Sequence, residues 1–239
     1  LNEVSELNII GVINIKHKGS LENKKMLFLR GFGVFQTAKL FFLKLLYNFF
    51  DFLDRLLFYK LKFYRSLRSA SYNSNSEYKV IDDPNSESFK KWLRSRKIDL
   101  IISFSAPCIF YEDLLEIPKL GCINLHCSLL PKYPGLLPSF WTIFHDEKEI
   151  GATVHQMDYK IDNGKILGQT KLKMPKNPTV YSVINTTKNA GGKLMVQVVN
   201  EIINGSINKI DNNVSDNDYF TWPSLSEIRK FKKNGGRLI

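Results

Sequence analysis

Three polar residues stand out in apolar surroundings. Asn124 and His126 sit two apart in the run Gly-Cys-Ile-Asn-Leu-His-Cys-Ser-Leu-Leu-Pro-Lys-Tyr-Pro-Gly (121–135). Asp162 follows His126 by 36 residues, in Met-Asp-Tyr-Lys-Ile-Asp-Asn-Gly (157–164). On a strand, side chains at i and i+2 share a face. Asn124 and His126 therefore point one way and Leu125 points into the core. At the carboxyl end of a parallel strand that face opens on a ligand crevice. An amide beside an imidazole there can polarise a carbonyl and hold the oxyanion formed on nucleophilic attack. Asp162, just before an Asn-Gly turn, is placed to orient His126 and take up a proton. Pro131, Pro134 and Gly135 stiffen the loop between them. Taken singly, His126 also fits a core or capping role, and Asp162 a turn. His145 and His155 read as structural, the latter within the alternating run 153–157. Cys122, His126 and Cys127 do not suggest zinc, because neighbours on a strand diverge and no fourth ligand is evident.

The elements that must position these residues alternate between strand and helix. Residues 8–15 form a buried-strand run ending in a basic loop at 16–18. It comes so early that an N-terminal strand and most of a helix are expected to be missing before it. A short strand at 78–81 precedes a helix at 86–95. The continuous apolar run 99–104 suits a central parallel strand. A short helix at 111–115, a strand at 122–126, a helix at 137–146, strands at 151–157 and 165–172, and a helix at 178–203 follow. The pattern predicts an open, mostly parallel α/β sheet of Rossmann type.

Residues 34–68 read as one or two amphipathic helices. Thr37, Lys44, Asn48, Asp51, Arg55 and Lys62 form a narrow polar stripe, and most of the remainder is Phe, Leu and Tyr. So wide an apolar face is expected to be covered by protein, either its own domain or a second copy in a homodimer. The alternative is a membrane interface, with Lys60, Lys62, Arg65 and Arg68 facing acidic headgroups. Residues 69–77 read as a polar linker.

The chain has 239 residues, enough for one large domain with an appendage. Lys and Arg number 34 and Asp and Glu 23, a net charge of +11. Residues 1–70 carry +7 and residues 227–239 carry +4, so the middle is neutral. Such a balance favours a polyanion or an acidic membrane face. No uncharged apolar run reaches the length of a membrane span. Three cysteines make no disulfide framework, which with the absence of a signal-peptide pattern predicts a reducing, cytoplasmic setting.

The two blocks at 121–135 and 157–164 resemble the signature of the formyltransferases that use 10-formyltetrahydrofolate. That family includes methionyl-tRNA formyltransferase, glycinamide ribonucleotide formyltransferase and the sugar-nucleotide N-formyltransferases. The resemblance extends over 8–15 and 78–205, which makes 1–209 the catalytic domain, with a helical insert at 34–68. An aromatic and basic tail at 210–239 echoes some family members. The resemblance implies a catalytic trio of Asn124, His126 and Asp162. It implies a folate pocket built from Ser105, Ala106, Pro107, Cys108, Ile109 and Phe110 together with Asp158 and Ile161. It places Ser128 and Leu130 near the formyl group. Chemistry would be metal-free transfer of a formyl group to a primary amine. The implied acceptor is initiator methionyl-tRNA, with an aminosugar nucleotide or glycinamide ribonucleotide as alternatives. A non-catalytic folate-binding module is the rival of another class. Two departures bear on the acceptor. Within these residues neither the Gly-rich phosphate-binding turn of the purine enzyme nor the barrel domain with which methionyl-tRNA formyltransferase holds tRNA is expected.

Overall fold

The computed structural model describes residues 4, 6–16, 21–60, 66–215 and 219–239, with backbone alone for 21–25. In chain order the elements are β1 (Gly11–Ile15), α1 (Leu21–Phe32), α2 (Val34–Leu56), α3 (Leu67–Asn73), β2 (Glu77–Ile81), α4 (Glu87–Ser95) and β3 (Ile101–Phe104). Then come α5 (Glu112–Leu115), β4 (Cys122–His126), α6 (Pro138–Phe144), β5 (Glu149–Gln156), β6 (Ile166–Lys173), α7 (Val180–Ile203) and α8 (Leu225–Lys233).

The fold is open α/β. β1 and β2 form one parallel ladder, and β3 and β4 pair in parallel in a second sheet ordered β3-β4-β5-β6. β5 and β6 complete that sheet as an antiparallel hairpin, and β5 also runs antiparallel to β4. Register decides what meets at the site. Ser103 lies opposite Asn124, Asn124 opposite His155, and His126 opposite Thr153.

Side-chain pattern explains the layers. α7 starts at a capping box, in which the Thr179 hydroxyl accepts from the Ser182 amide and Ser182 answers at the Thr179 amide. Its buried stripe Leu194, Met195, Val198 and Val199 packs with Ile123, Leu125, Ala152 and Val154 of the sheet. Phe89, Leu93, Phe110 and Leu114 pack with Ile13, Ile81 and Ile101, so one apolar cluster draws on both ladders. A third cluster joins Phe32 of α1, Phe140 and Trp141 of α6, and Ile228 and Phe231 of α8. The tail therefore contributes to the core: Ile228 and Phe231 are fully buried.

Three expectations need correction. The helix foreseen over 34–68 ends at Leu56, and a separate α1 precedes it across Gly33. Residues 61–65, with Lys62 and Arg65, lie outside the described residues. The polar stretch 69–77 is largely helical as α3, because Ser66 and Ser69 form a capping box at its start. Finally, the apolar face of α2 is not covered by its own domain. The helix docks by one edge only. There the Gln36 Oε1 accepts from the Leu238 amide at 2.7 Å, the Tyr47 and Tyr181 hydroxyls meet at 2.7 Å, and Leu40 joins the third cluster. Phe41, Phe42, Leu45, Phe49, Phe52 and Leu56 remain exposed. Among the described residues no helix is long and apolar enough to cross a membrane.

Candidate active site

The carboxyl ends of β3 and β4 open into a crevice of about 650 Å3, within the range of roughly 300–1,000 Å3 usual for small-molecule sites. Residues 105–110, following β3, form one wall. Residues 135–139 at the start of α6, and residues 157, 158 and 160–162 of the β5–β6 connection, form two more. Ile184 and Lys188 of α7, with Tyr219, Phe220, Thr221 and Trp222, close the remaining side. Ser103 and Ser139 border this space, and their buried hydroxyls have no partner among the described residues.

Asn124, His126 and Asp162 converge at the floor. His126 Nε2 lies 2.8 Å from the Tyr133 carbonyl, which fixes the proton on Nε2 and turns Nδ1 towards Asp162 Oδ2 at 3.3 Å. The Gly135 amide donates to the same Oδ2 at 2.7 Å. Two close approaches hold this arrangement. Gly135 has φ +98°, and a Cβ there would sit 2.3 Å from the Phe220 carbonyl oxygen. At Gly164 a Cβ would meet the Gln156 carbonyl oxygen at 2.1 Å. Glycine at both positions lets the two loops press Asp162 against His126.

His155 completes the cluster. Its Nδ1 donates to the Gln156 carbonyl at 2.7 Å, which leaves Nε2 to accept from Asn124 Nδ2 at 3.2 Å. The same Nε2 stands 3.4 Å from Asp162 Oδ1. His155 is thus a site residue that sequence reasoning read as structural. The signal was its alternation on β5, which the antiparallel register converts into a cross-strand pair with Asn124.

Burial shifts these groups. It pushes the His126 pKa below the ordinary 6.5, against the opposing pull of the Asp162 charge and the Tyr133 carbonyl. Burial would raise Asp162, but the charge of a protonated His126 and the Gly135 amide oppose it, and the carboxyl is held below 3.8. A neutral His126 beside an ionised Asp162 leaves the Nδ1–Oδ2 contact able to receive one proton. Burial also pushes the Cys122 thiol up to about 12 and raises Cys127, so neither is a thiolate at neutral pH.

The other expected site residues divide. Ser105, Ala106, Pro107, Cys108, Ile109, Phe110, Asp158 and Ile161 all line the crevice. Ser128 and Leu130 do not. The Ser128 hydroxyl donates to the Lys132 carbonyl at 2.7 Å, its own carbonyl accepts from Thr153 Oγ1 at 2.7 Å, and both residues are buried beneath the loop. The Leu130 amide donates to Thr153 Oγ1 and its carbonyl accepts from Gln169 Nε2. They shape the 128–135 loop from below. The aromatic wall 219–222 and Lys188 were not foreseen as part of the site.

Fold and crevice together define an α/β protein with a crevice of small-molecule size at the carboxyl ends of parallel strands. The sequence matches the Formyl transferase family over residues 71–199, more than half of its length, and the chain belongs to that family. It is 40% identical over 133 residues to the bifunctional polymyxin resistance protein ArnA of Wigglesworthia glossinidia brevipalpis, covering 54% of this chain and 20% of that protein. It is 39% identical over 129 residues to the methionyl-tRNA formyltransferase of Clostridium tetani, covering 54% of this chain and 41% of that one. The chain thus spans less than half the length of these relatives. Among solved structures, a 4-N formyltransferase from Francisella tularensis superposes with a TM-score of 0.54 at 28% identity, covering 66% of this chain and 63% of that one. A sugar N-formyltransferase from a Shewanella species, 16% identical, shares the fold over 88% of this chain and 76% of its own, with a TM-score of 0.54.

Proposed function

We propose that this chain transfers a formyl group from 10-formyltetrahydrofolate to a primary amine. The observation that carries the reading is the convergence of Asn124, His126 and Asp162 on one crevice, in a chain of this family. The walls suit a folate. Ile109 and Ile161 offer apolar contact, and the exposed backbone of the 105–110 and 158–161 loops offers donors and acceptors to a pteridine.

In the reaction the amine nitrogen bonds to the formyl carbon, the carbon–N10 bond breaks, and the amine's proton passes to N10. Asn124 Nδ2 has a second N–H beyond the one given to His155, and it supports the negative charge developing on the formyl oxygen. His126, fixed by Tyr133, takes the amine's proton at Nδ1 and Asp162 stabilises the imidazolium. None of these steps uses a metal. The free cysteines suit a reducing, cytoplasmic setting.

Methionyl-tRNA is the first acceptor reading, on the likeness to the Clostridium tetani methionyl-tRNA formyltransferase and on the exposed cations Arg229, Lys230, Lys232, Lys233 and Arg237. An aminosugar nucleotide is the second. It is favoured by the aromatic wall and by Lys160 and Lys188, the two cations that line the crevice among the described residues, enough for a diphosphate. Deleting the tail would remove Ile228 and Phe231 from the core, so the clean test is Arg229→Glu with Lys233→Glu. For a tRNA enzyme, affinity should fall steeply with salt, and the double variant should flatten that slope. If tRNA binding is weak and the variant changes neither affinity nor slope, the aminosugar reading replaces it.

A further inference from the structure

α2 lies outside the residues that match the family and outside the crevice, yet among the described residues it carries more exposed large hydrophobic side chains than any other element. Phe41 and Phe42 are each 59% exposed, Phe49 is 55% and Leu56 is 57%. Leu45 and Phe52 lie between them on the same side, since Phe41, Leu45, Phe49, Phe52 and Leu56 follow steps of three and four. The helix has 23 residues, about 34 Å of continuous surface at roughly 1.5 Å per residue. An apolar strip of this length is not left in water without a function.

The charges around the strip distinguish its occupants. Lys39, Lys44, Arg55 and Lys60 are exposed along its flanks. Arg55 leans over the Phe52 ring at 5.7 Å, at the edge of the strip. Neither acid of α2 is fully exposed: Asp54 is 1% exposed and Asp51, on the stripe it shares with Lys44 and Arg55, is half-buried. A second copy laid strip to strip would set cation rows against each other with no exposed carboxylate on α2 to answer them. An acidic lipid surface answers both features. Its acyl boundary accepts Phe and Leu, and its phosphates accept the flanking cations. The helix is too polar to span, so it would lie in the interface.

We propose that α2 is a membrane-interface helix that docks the protein on an anionic bilayer through its Phe/Leu strip. Folding need not change on docking, because the inner edge is already fastened by Gln36–Leu238 and Tyr47–Tyr181. This inference stands apart from the formyl-transfer reading and survives its failure.

The test is sedimentation of the purified chain with vesicles of phosphatidylcholine alone and of phosphatidylcholine with phosphatidylglycerol, alongside analytical ultracentrifugation without lipid. The chain should pellet with the acidic vesicles, remain in solution with the neutral ones, and be released by salt. Lys39→Gln, Lys44→Gln and Arg55→Gln together should weaken binding about a hundredfold, at roughly fivefold per cation. Leu45→Glu with Phe49→Glu, both at exposed positions, should abolish it while leaving the far-ultraviolet circular dichroism unchanged. No pelleting with acidic vesicles overturns the proposal, as does pelleting that the α2 variants leave intact. A lipid-free dimer that Leu45→Glu/Phe49→Glu dissociates, in a chain that ignores vesicles, would assign the strip to a second copy instead.

Discussion

Replacing Asp162 by Asn removes one negative charge and almost no volume. The wild-type Oδ2 accepts from the Gly135 amide at 2.7 Å and faces His126 Nδ1 at 3.3 Å. An amide oxygen can keep the Gly135 contact, so the loop should stay in place. What is lost is the charge that stabilises a protonated His126 and the capacity to receive a proton across the Nδ1 contact. Positioned proton transfer contributes ~10²–10⁴-fold, which is about 3–5 kcal/mol of barrier. Folding stability should fall by only ~1–2 kcal/mol, the worth of a charge-assisted hydrogen bond. The assay is steady-state release of tetrahydrofolate with a saturating amine, beside a direct titration with 5-formyltetrahydrofolate. The expected result is a kcat at least a hundredfold lower with folate affinity within a few-fold, because the 105–110 wall is untouched. Turnover within tenfold of wild type, in a variant whose melting curve shows it folded, would refute the role assigned to Asp162.

Other consequences can be checked separately. His155→Asn, smaller than histidine, turns its amide away from Asn124 and leaves Asn124 Nδ2 without its acceptor, and should lower kcat by roughly tenfold through loss of one positioning hydrogen bond; an unchanged kcat would return His155 to a structural role. If His126 works as a base, kcat/KM should fall as pH drops through its folded pKa, so the acid limb should lie below 6.5; a limb above 6.5 would contradict the burial seen here. Stability should follow the same sign. Both His126 and Asp162 have depressed folded values, so the unfolded chain binds more protons in acid, and stability declines as pH falls from 6.5 for His126 and again below 3.8 for Asp162. Phe231→Ala, which empties a site 4.6 Å from the Phe140 ring, should cost about 3–5 kcal/mol in urea unfolding, whereas a cost under 1 kcal/mol would mean that the tail does not share the core.

Much of this arrangement is legible in the chain itself. β4 begins and ends where the Cys122–His126 pattern predicts, because its alternation and flanking turns leave no other register. The pairing of Asn124 with His126 is legible for the same reason, since a two-residue spacing on a strand fixes a shared face; Asp162 reaches them only through the β5–β6 connection. His155 was hidden because its partner lies 31 positions back in sequence, and only the antiparallel pairing of β4 with β5 reveals the contact. Ser128 and Leu130 misled because proximity in sequence to His126 says nothing about which side of a loop a side chain takes; their hydrogen bonds to Lys132 and Thr153 turn them inward. α8 was read as tail because it is short and basic. Only Ile228 and Phe231, three apart among the cations, betray a buried stripe. On α2 the pattern shows the apolar face and not its cover: the helix docks on its own domain by one edge only, since amphipathicity specifies a face that needs a partner and not which partner.

The account rests most directly on transfer of the formyl group itself. The decisive measurement follows an isotopic label in the formyl carbon of 10-formyltetrahydrofolate, with methionyl-tRNA and with an aminosugar nucleotide as acceptors. The account predicts that label appears in one of these amines with an equal amount of tetrahydrofolate released, and that Asp162→Asn suppresses both together. A folded chain that binds the folate yet leaves the label on the donor, or releases it as formate at a rate indifferent to amine, would contradict it.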